Sequence, residues 1–283
     1  LIVKKCKSAP CVLFYDFAHN FTGTFLLTLH LNLNLLFMQS VTQSVHDLTI
    51  GNIVSLNYRT ADVFKKYGID FCCKGNRLLS DVCHDKKLDF ISIEKEVVEK
   101  MADTEPIDED QYQTMPLDKL VAHIQDRHHV YVRENIPVLL GYLHKINKVH
   151  GDRHPELNEL YVQFESCAFE LTHHMFKEET ILFPAIMQLV EASETQAGVA
   201  KPFFFGTLSN PISMMKDEHS TEGDRFHRMA EITDNYTPPA DGCTTYRVAF
   251  SKLKDFQDDL FLHIHLENNI VFPRALALER GDS

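Results

Sequence analysis

The stretch His174-Met-Phe-Lys-Glu178-Glu-Thr-Ile-Leu-Phe183-Pro184 returns later in the chain as His263-Ile-His-Leu-Glu267-Asn-Asn-Ile-Val-Phe272-Pro273. In both copies Glu follows His by four residues and the Phe-Pro pair begins nine residues after the His. A four-residue step on a helix puts both side chains on one face, one turn apart. A single His-x3-Glu pair is weak evidence, because such pairs arise by chance. Two copies with the same Phe-Pro tail are much harder to reach by accident. The repeat therefore predicts two helices related by an approximate two-fold, each aiming a His and a Glu at a metal on a shared axis.

Two ions need more than two His and two Glu. His129, within Asp126-Arg-His-His-Val-Tyr-Val-Arg133, and His219, within Met215-Lys-Asp-Glu-His219, offer one more ligand from each of two further helices. Spacing alone does not separate His129 from its neighbour His128. A lone helical His is more often a surface or satisfied core residue, so His123, His173, His227 and His265, which lack repeat support, are read as non-ligands. A set of four His and two Glu suits paired iron, since imidazole binds iron and zinc and carboxylates bridge hard cations. Ferritin-like sites use Glu-x-x-His with more carboxylates, which sets this site apart.

Around the repeat, residues 117–280 show long segments of 3.6 period and almost no strand-like alternation. Four helices are expected: Leu117 to Lys148 with a kink at Pro137, Pro155 to Glu191, Asn210 to Ile232 with Pro238-Pro239 at its exit, and Thr244 to Leu278. The fold class is all-α: an up-down four-helix bundle, whose interior commonly carries metal sites. Residues 44–102 form a smaller helical module, with helical patterns at Thr60 to Tyr67, Leu78 to Lys86 and Ile91 to Met101. Gly68 and the Cys72-Cys73-Lys74-Gly75 turn break the first from the second. A module of under ~60 residues is marginal as an independent core. Residues 103–116 are acidic, hold two prolines and read as a loose linker.

The chain has 283 residues, 44% of them apolar, so a sizeable core is available. A net charge of −12, with no basic cluster, argues against nucleic acid as a partner. The seven Cys are odd in number and irregularly spaced, which points to free thiols in a reducing, cytoplasmic compartment. Residues 1–37 differ from the rest. Phe25 to Phe37 is Leu-rich but broken by Thr28, His30, Asn32 and Asn34, too short and polar for a span of ~20 apolar residues. No small-residue cleavage site follows Lys4, Lys5 and Lys7. This leader is expected to lie outside the functional protein, with Met38 as its natural start and no membrane as a partner.

With these features in place, the chain resembles the RIC family of di-iron proteins, the YtfE and ScdA type, over about Ser55 to Ala277. Ala61-Asp-Val-Phe-Lys-Lys-Tyr-Gly-Ile-Asp-Phe-Cys72-Cys73-Lys-Gly looks like the family's N-terminal module with its paired cysteines. The two His-x3-Glu stretches look like its hemerythrin-like ligand motifs, and Glu218-His219 and Tyr236-Thr-Pro-Pro like its third-helix motif and exit. The resemblance implies six ligands for two iron ions in an oxo- and carboxylate-bridged centre: His129, His174, Glu178, His219, His263 and Glu267. It chooses His129 over His128, makes Glu178 and Glu267 the bridges, and places Glu218 beside the site. His150 matches another family histidine that is not counted among the ligands. The leader has no counterpart in the family.

The implied function is repair of iron–sulfur clusters after nitrosative or oxidative damage, with damaged iron–sulfur proteins as clients. A second copy of the chain is a candidate homodimer partner. Mixed His and carboxylate ligation is more labile than a thiolate cage, so the centre could donate iron. Cys72 and Cys73, near Lys74 and Arg77 that could lower a thiol pKa, would handle iron in transit or meet the client. The alternative is binding of nitric oxide or oxygen, or reduction of nitric oxide, at an iron pair that stays put. A structural, storage or zinc-bound version of the site is the third reading.

Overall fold

A computed structural model describes residues 45–102, 112–195 and 203–282. The leader 1–37, Met38 and residues 103–111 of the expected linker lie outside the described residues. Among the described residues the regular structure is helical, with isolated β-bridges at Thr49–Leu78 and Phe203–Gly206.

The N-terminal module contains α1 (Ile50–Leu56), α2 (Thr60–Lys66), α3 (Leu79–Lys86) and α4 (Phe90–Met101). Local chemistry sets their ends. The Thr49 hydroxyl accepts from the Asn52 N–H at the start of α1, and the Asp89 carboxylate accepts from Ile91 N–H and Ser92 Oγ–H at the start of α4. After α2, Gly68 turns left-handed at φ 61° and lets the Ile69 N–H reach back to Phe64 O.

The bundle follows. α5 (Leu117–His123) runs through a π turn (Ile124–His129) into α6 (Val130–His150), one continuous rod that passes through Pro137. α7 (Glu156–Lys177), a second π turn (Glu178–Leu182) and α8 (Phe183–Thr195) make the next rod. α9 (Ser209–Ile232) is the third. α10 (Thr244–Leu266), a third π turn (Glu267–Val271) and α11 (Phe272–Arg280) complete the ring. α6 packs on α7 and α10, and α9 packs on α7 and α10, which closes the four rods around one axis.

The helices lie where the periodicity predicts them, but the three π turns do not follow from a uniform 3.6 period. Each falls at a candidate ligand: His129 closes the first, Glu178 opens the second and Glu267 opens the third. The Phe-Pro tails fit this geometry. Pro184 and Pro273 are the second residues of α8 and α11, where a missing N–H is tolerated because a π turn has already broken the i→i−4 ladder.

The apolar interior divides into two clusters. One joins Val132, Leu139, Phe164, Phe226, Phe256 and Ile264 of the bundle to Ile50, Phe64, Phe71 and Val97 of the module. The other gathers Leu120, Ile124, Phe183, Met215, Leu266 and Phe272 at the opposite end. Every candidate ligand lies in sequence between residues of the two, so a polar layer crosses the bundle between two apolar ones. The module thus shares its core with the bundle. A fully buried Phe contributes ~2 kcal/mol over an exposed one, and Phe64 and Phe71 are buried in this shared core. Gly51 permits the contact: a Cβ there would lie 2.3 Å from Asn269 Oδ1 on the third π turn.

Candidate metal centre

All six expected ligands converge in the polar layer, in two overlapping groups. His129, His263, Glu178 and Glu267 offer ligand atoms within 4.8 Å of one another, and so do His174, His219, Glu178 and Glu267. Both carboxylates belong to both groups, one oxygen to each. Glu178 Oε2 lies 3.4 Å from His129 Nε2, and its Oε1 lies 3.4 Å from His174 Nε2. Glu267 Oε1 lies 2.9 Å from His263 Nε2, and its Oε2 lies 3.2 Å from His219 Nε2. Within each group the imidazoles meet nitrogen to nitrogen, at 3.2 Å for His129 and His263 and 2.9 Å for His219 and His174.

This donor set fits a pair of cations. Glu178 and Glu267 are fully buried. Neither oxygen of Glu178, nor Oε2 of Glu267, has a hydrogen-bond partner among the described residues. Leaving buried carboxylate oxygens unpaired is costly, and a metal between each His pair would satisfy all of them at once.

The outer nitrogens of His129, His174 and His219 are held in place. His129 Nδ1 donates to Glu179 Oε1 at 2.6 Å, and that carboxylate also accepts from Arg133 at 2.5 Å. His174 Nδ1 donates to Glu218 Oε2 at 2.8 Å, and Glu218 pairs with Lys177 through its other oxygen. His219 Nδ1 faces Asn268 Oδ1 at 3.0 Å. Such partners fix the ring and would leave Nε2 free to hold a metal. His263 Nδ1 has no partner among the described residues; the ring of His128 stacks on it at 5.6 Å, and His128 Nδ1 meets Asp259 Oδ1 at 3.1 Å.

The charges are strongly linked. Burial alone would lower His174, but the Glu178 and Glu218 carboxylates overcome it and raise its pKa to about 10. Burial likewise works against the charged form of Glu218, yet His174 and Lys177 bring it down to about 2. His129 is raised by Glu178 against the same burial penalty. Glu267 is held low by His263 and His219 despite burial. The raised pKa values of His174 and His129 thus favour protons beside the buried carboxylates, in the place where metal charge would sit.

The structure places the other histidines elsewhere. His265 is buried at the module–bundle contact, 3.4 Å from Ser55 Oγ, and burial lowers its pKa to about 3. His173 bonds the Phe169 carbonyl, His227 lies against Phe261, and His123 lies against His128. His150 is at the far end of the bundle, 3.3 Å from Cys243 Sγ.

The Cys72–Cys73 turn abuts the centre. The sulfurs are 3.5 Å apart, Asp70 Oδ1 accepts from both Cys N–H groups, and Cys73 Sγ donates to the His219 carbonyl at 3.1 Å. With Asp70 they form a third group able to hold a metal. The expectation that Lys74 and Arg77 lower the thiol pKa is not met. Lys74 pairs with Asp224 at 2.6 Å and Arg77 with Asp85 at 2.5 Å. Burial, then Cys73 and Asp70, pushes the Cys72 thiol up.

Sequence reasoning missed Glu179 and Asn268. The repeat carried the signal: each directly follows a bridging-type Glu, and each meets the Nδ1 of a His on another helix.

Two family models match the chain. The ScdA_N model, described as a domain of unknown function, matches residues 46–100. The hemerythrin HHE cation binding domain matches residues 120–275. The chain is 35% identical over 235 residues to the iron-sulfur cluster repair protein YtfE of Musicola paradisiaca (strain Ech703), covering 83% of this chain and 97% of that protein. It is 37% identical over 233 residues to the protein so named in Enterobacter sp. (strain 638), covering 82% and 98%. For Escherichia coli O8 (strain IAI1) the figure is 36% over 233 residues, again 82% and 98%. Likeness of this extent, running through both domains, means that the chain belongs to the YtfE and ScdA family.

Proposed function

We propose that this chain carries two iron ions and repairs iron–sulfur clusters damaged by nitrosative or oxidative stress, by giving up iron to the damaged site. The observation that carries the reading is the pair of buried carboxylates, each offering one oxygen to each of two His pairs. The six ligands are His129, His174, Glu178, His219, His263 and Glu267. The curated relatives are named for cluster repair, which supports the same role here.

Iron is the cargo in this reading. Glu178 and Glu267 keep the two ions together, and labile His and carboxylate bonds let one go. Asp70, Cys72 and Cys73 are the next donors on the way out, because Cys73 already touches the backbone of His219. Thiolate donors bind ferrous iron well, and a client protein is where the iron ends. The domain division follows: residues 44–102 serve as the thiol module, 103–116 as the connection and 117–280 as the iron bundle.

Mixing the iron-loaded chain with a nitric-oxide-damaged cluster enzyme tests this. Recovery of enzyme activity together with stoichiometric movement of iron supports donation. Recovery with all iron retained by the chain overturns it.

One observation favours a second reading. A cavity of about 220 Å³ lined by Ile181, Leu182, Met214 and Met215 lies against the second π turn and α9. A mostly apolar cavity of this kind suits a small neutral gas. In this reading the six candidate ligands would hold an iron pair that stays in place and binds nitric oxide or oxygen.

A further inference from the structure

We propose that Asn268 is a positioning residue that couples the Cys72–Cys73 turn to His219, so that what binds to the thiols changes how firmly the His174–His219 half of the centre holds its metal. This deepens the metal reading above and rests on it.

The coupling is built from two paths that meet at one residue. Asn268 Nδ2 donates to the Cys72 carbonyl at 3.0 Å, and Asn268 Oδ1 lies 3.0 Å from His219 Nδ1. An amide nitrogen only donates, so the bond to Cys72 fixes which way the amide faces. The oxygen must then accept from His219, whose proton is held on Nδ1 and whose Nε2 is left free for a metal. Along the second path the Cys73 thiol donates to the carbonyl of His219 itself. Gly223, one turn further on α9, makes room for that approach: a Cβ there would lie 2.9 Å from Cys73 Sγ.

The turn is tied together by hydrogen bonds. Asp70 Oδ1 ties the N–H groups of Cys72 and Cys73, and Asn269 Nδ2 donates to the Phe71 carbonyl. A metal or a covalent group on the sulfurs, which are 3.5 Å apart, must spread or rotate this turn. That motion pulls on the Cys72 carbonyl and, through Asn268, on the ring of His219.

The repeat shows what is particular about Asn268. Its counterpart is Glu179, which accepts from the Nδ1 of His129 and is paired with Arg133. A carboxylate could hold His219 in the same way, and more strongly. It could not donate to Cys72. The amide therefore gives up grip on His219 and gains a link to the thiol turn, whereas among the described residues Glu179 links His129 to Arg133 instead. Of the three outer partners, Glu179, Glu218 and Asn268, only the one facing the thiol turn is neutral.

The test is a mutant cycle on the full, iron-loaded chain. The proteins are the wild type, Cys72→Ser with Cys73→Ser, Asn268→Asp, and all three changes together. The readouts are the rate at which excess bipyridine removes iron and the position of the visible absorption band. Asn268→Asp keeps an acceptor for His219 but removes the donor to Cys72; Asn268→Ala repeats the comparison should the acidic variant not fold. The thiol changes should alter the extraction rate and shift the band when Asn268 is present. Both effects should shrink by at least ~3-fold in the Asn268→Asp background, in the range for residues in contact. Independent, multiplicative effects on an iron-loaded chain overturn the coupling alone. A wild-type chain that takes up no iron overturns the metal reading and the coupling with it.

Discussion

Glu218 and His128 occupy equivalent places in the two halves of the centre, each one residue before a candidate ligand, yet they act on their partner imidazoles in opposite ways. Glu218 accepts from His174 Nδ1 at 2.8 Å. His128 stacks on His263 with rings 12° from parallel, and the Nδ1 of His263 has no partner among the described residues. The two-fold of the ligands is therefore not a two-fold of their supports. One half has a carboxylate on His174 and an amide on His219; the other has a carboxylate on His129 and a stacked ring on His263.

Unequal supports should give unequal ions. Replacing Glu218 with Ala is expected to weaken the ion held by His174 and His219 by ~10–100-fold, the usual cost of losing such a partner. Replacing Glu179 with Ala should weaken the ion at His129 and His263 instead. Stoichiometric titration with ferrous iron should show one site lost and one kept in each variant. Equal weakening of both ions in either variant would show that the halves are not separable.

The bridges should behave differently from the supports. Glu178→Ala and Glu267→Ala each remove an oxygen from both ions. Each is expected to lower total iron below two per chain and to change the visible spectrum of what remains. Full iron with an unchanged spectrum in both variants would remove these residues from the bridging role.

The convergence of four of the six candidate ligands was legible in the sequence because they are written in a repeat. His174, Glu178, His263 and Glu267 share one spacing and one Phe-Pro tail, and helical geometry turns that spacing into a common face. His129 and His219 were legible only as helical histidines on other rods. The outer layer was hidden for a physical reason. Glu179 and Asn268 point from one helix to a histidine on another, so their role depends on rod order and rotation, which periodicity does not encode. The π turns were hidden too, since a 3.6 period assumes the ladder they break. Lys74 and Arg77 misled because nearness in sequence does not show that Asp224 and Asp85 already claim them.

Acidity should govern metal uptake with a definite sign. The pKa of His174 is raised from 6.5 to about 10, with the nearby carboxylates outweighing burial. A raised pKa means that protonated His174 supports the metal-free fold fully below 6.5, and that this support is lost as pH rises through about 10. Metal binding runs the other way, because the ion must displace that proton. Affinity should therefore climb between pH 6.5 and 10, by about tenfold per pH unit for each proton displaced. Calorimetry in buffers of different ionisation enthalpy counts those protons directly. Zero protons released at pH 7.5 would mean that the imidazoles are already neutral in the metal-free chain.

The thiols should matter to delivery and not to occupancy. All six candidate ligands lie in the bundle, and the sulfurs of Cys72 and Cys73 belong to a separate group with Asp70. Replacing both with Ser should leave two irons per chain at equilibrium. Repair should nevertheless fail or slow, because iron leaving the His219 side would no longer meet a soft donor on its way to a client. Burial keeps Cys72 a thiol in the resting chain, so it does not compete for iron until an ion arrives to displace its proton. Iron content and reactivation of a nitric-oxide-damaged cluster enzyme, measured on one preparation, separate the two roles. Normal reactivation by the double variant would reduce the pair to packing against α9. Loss of iron as well would mean that a thiol belongs to the resting centre.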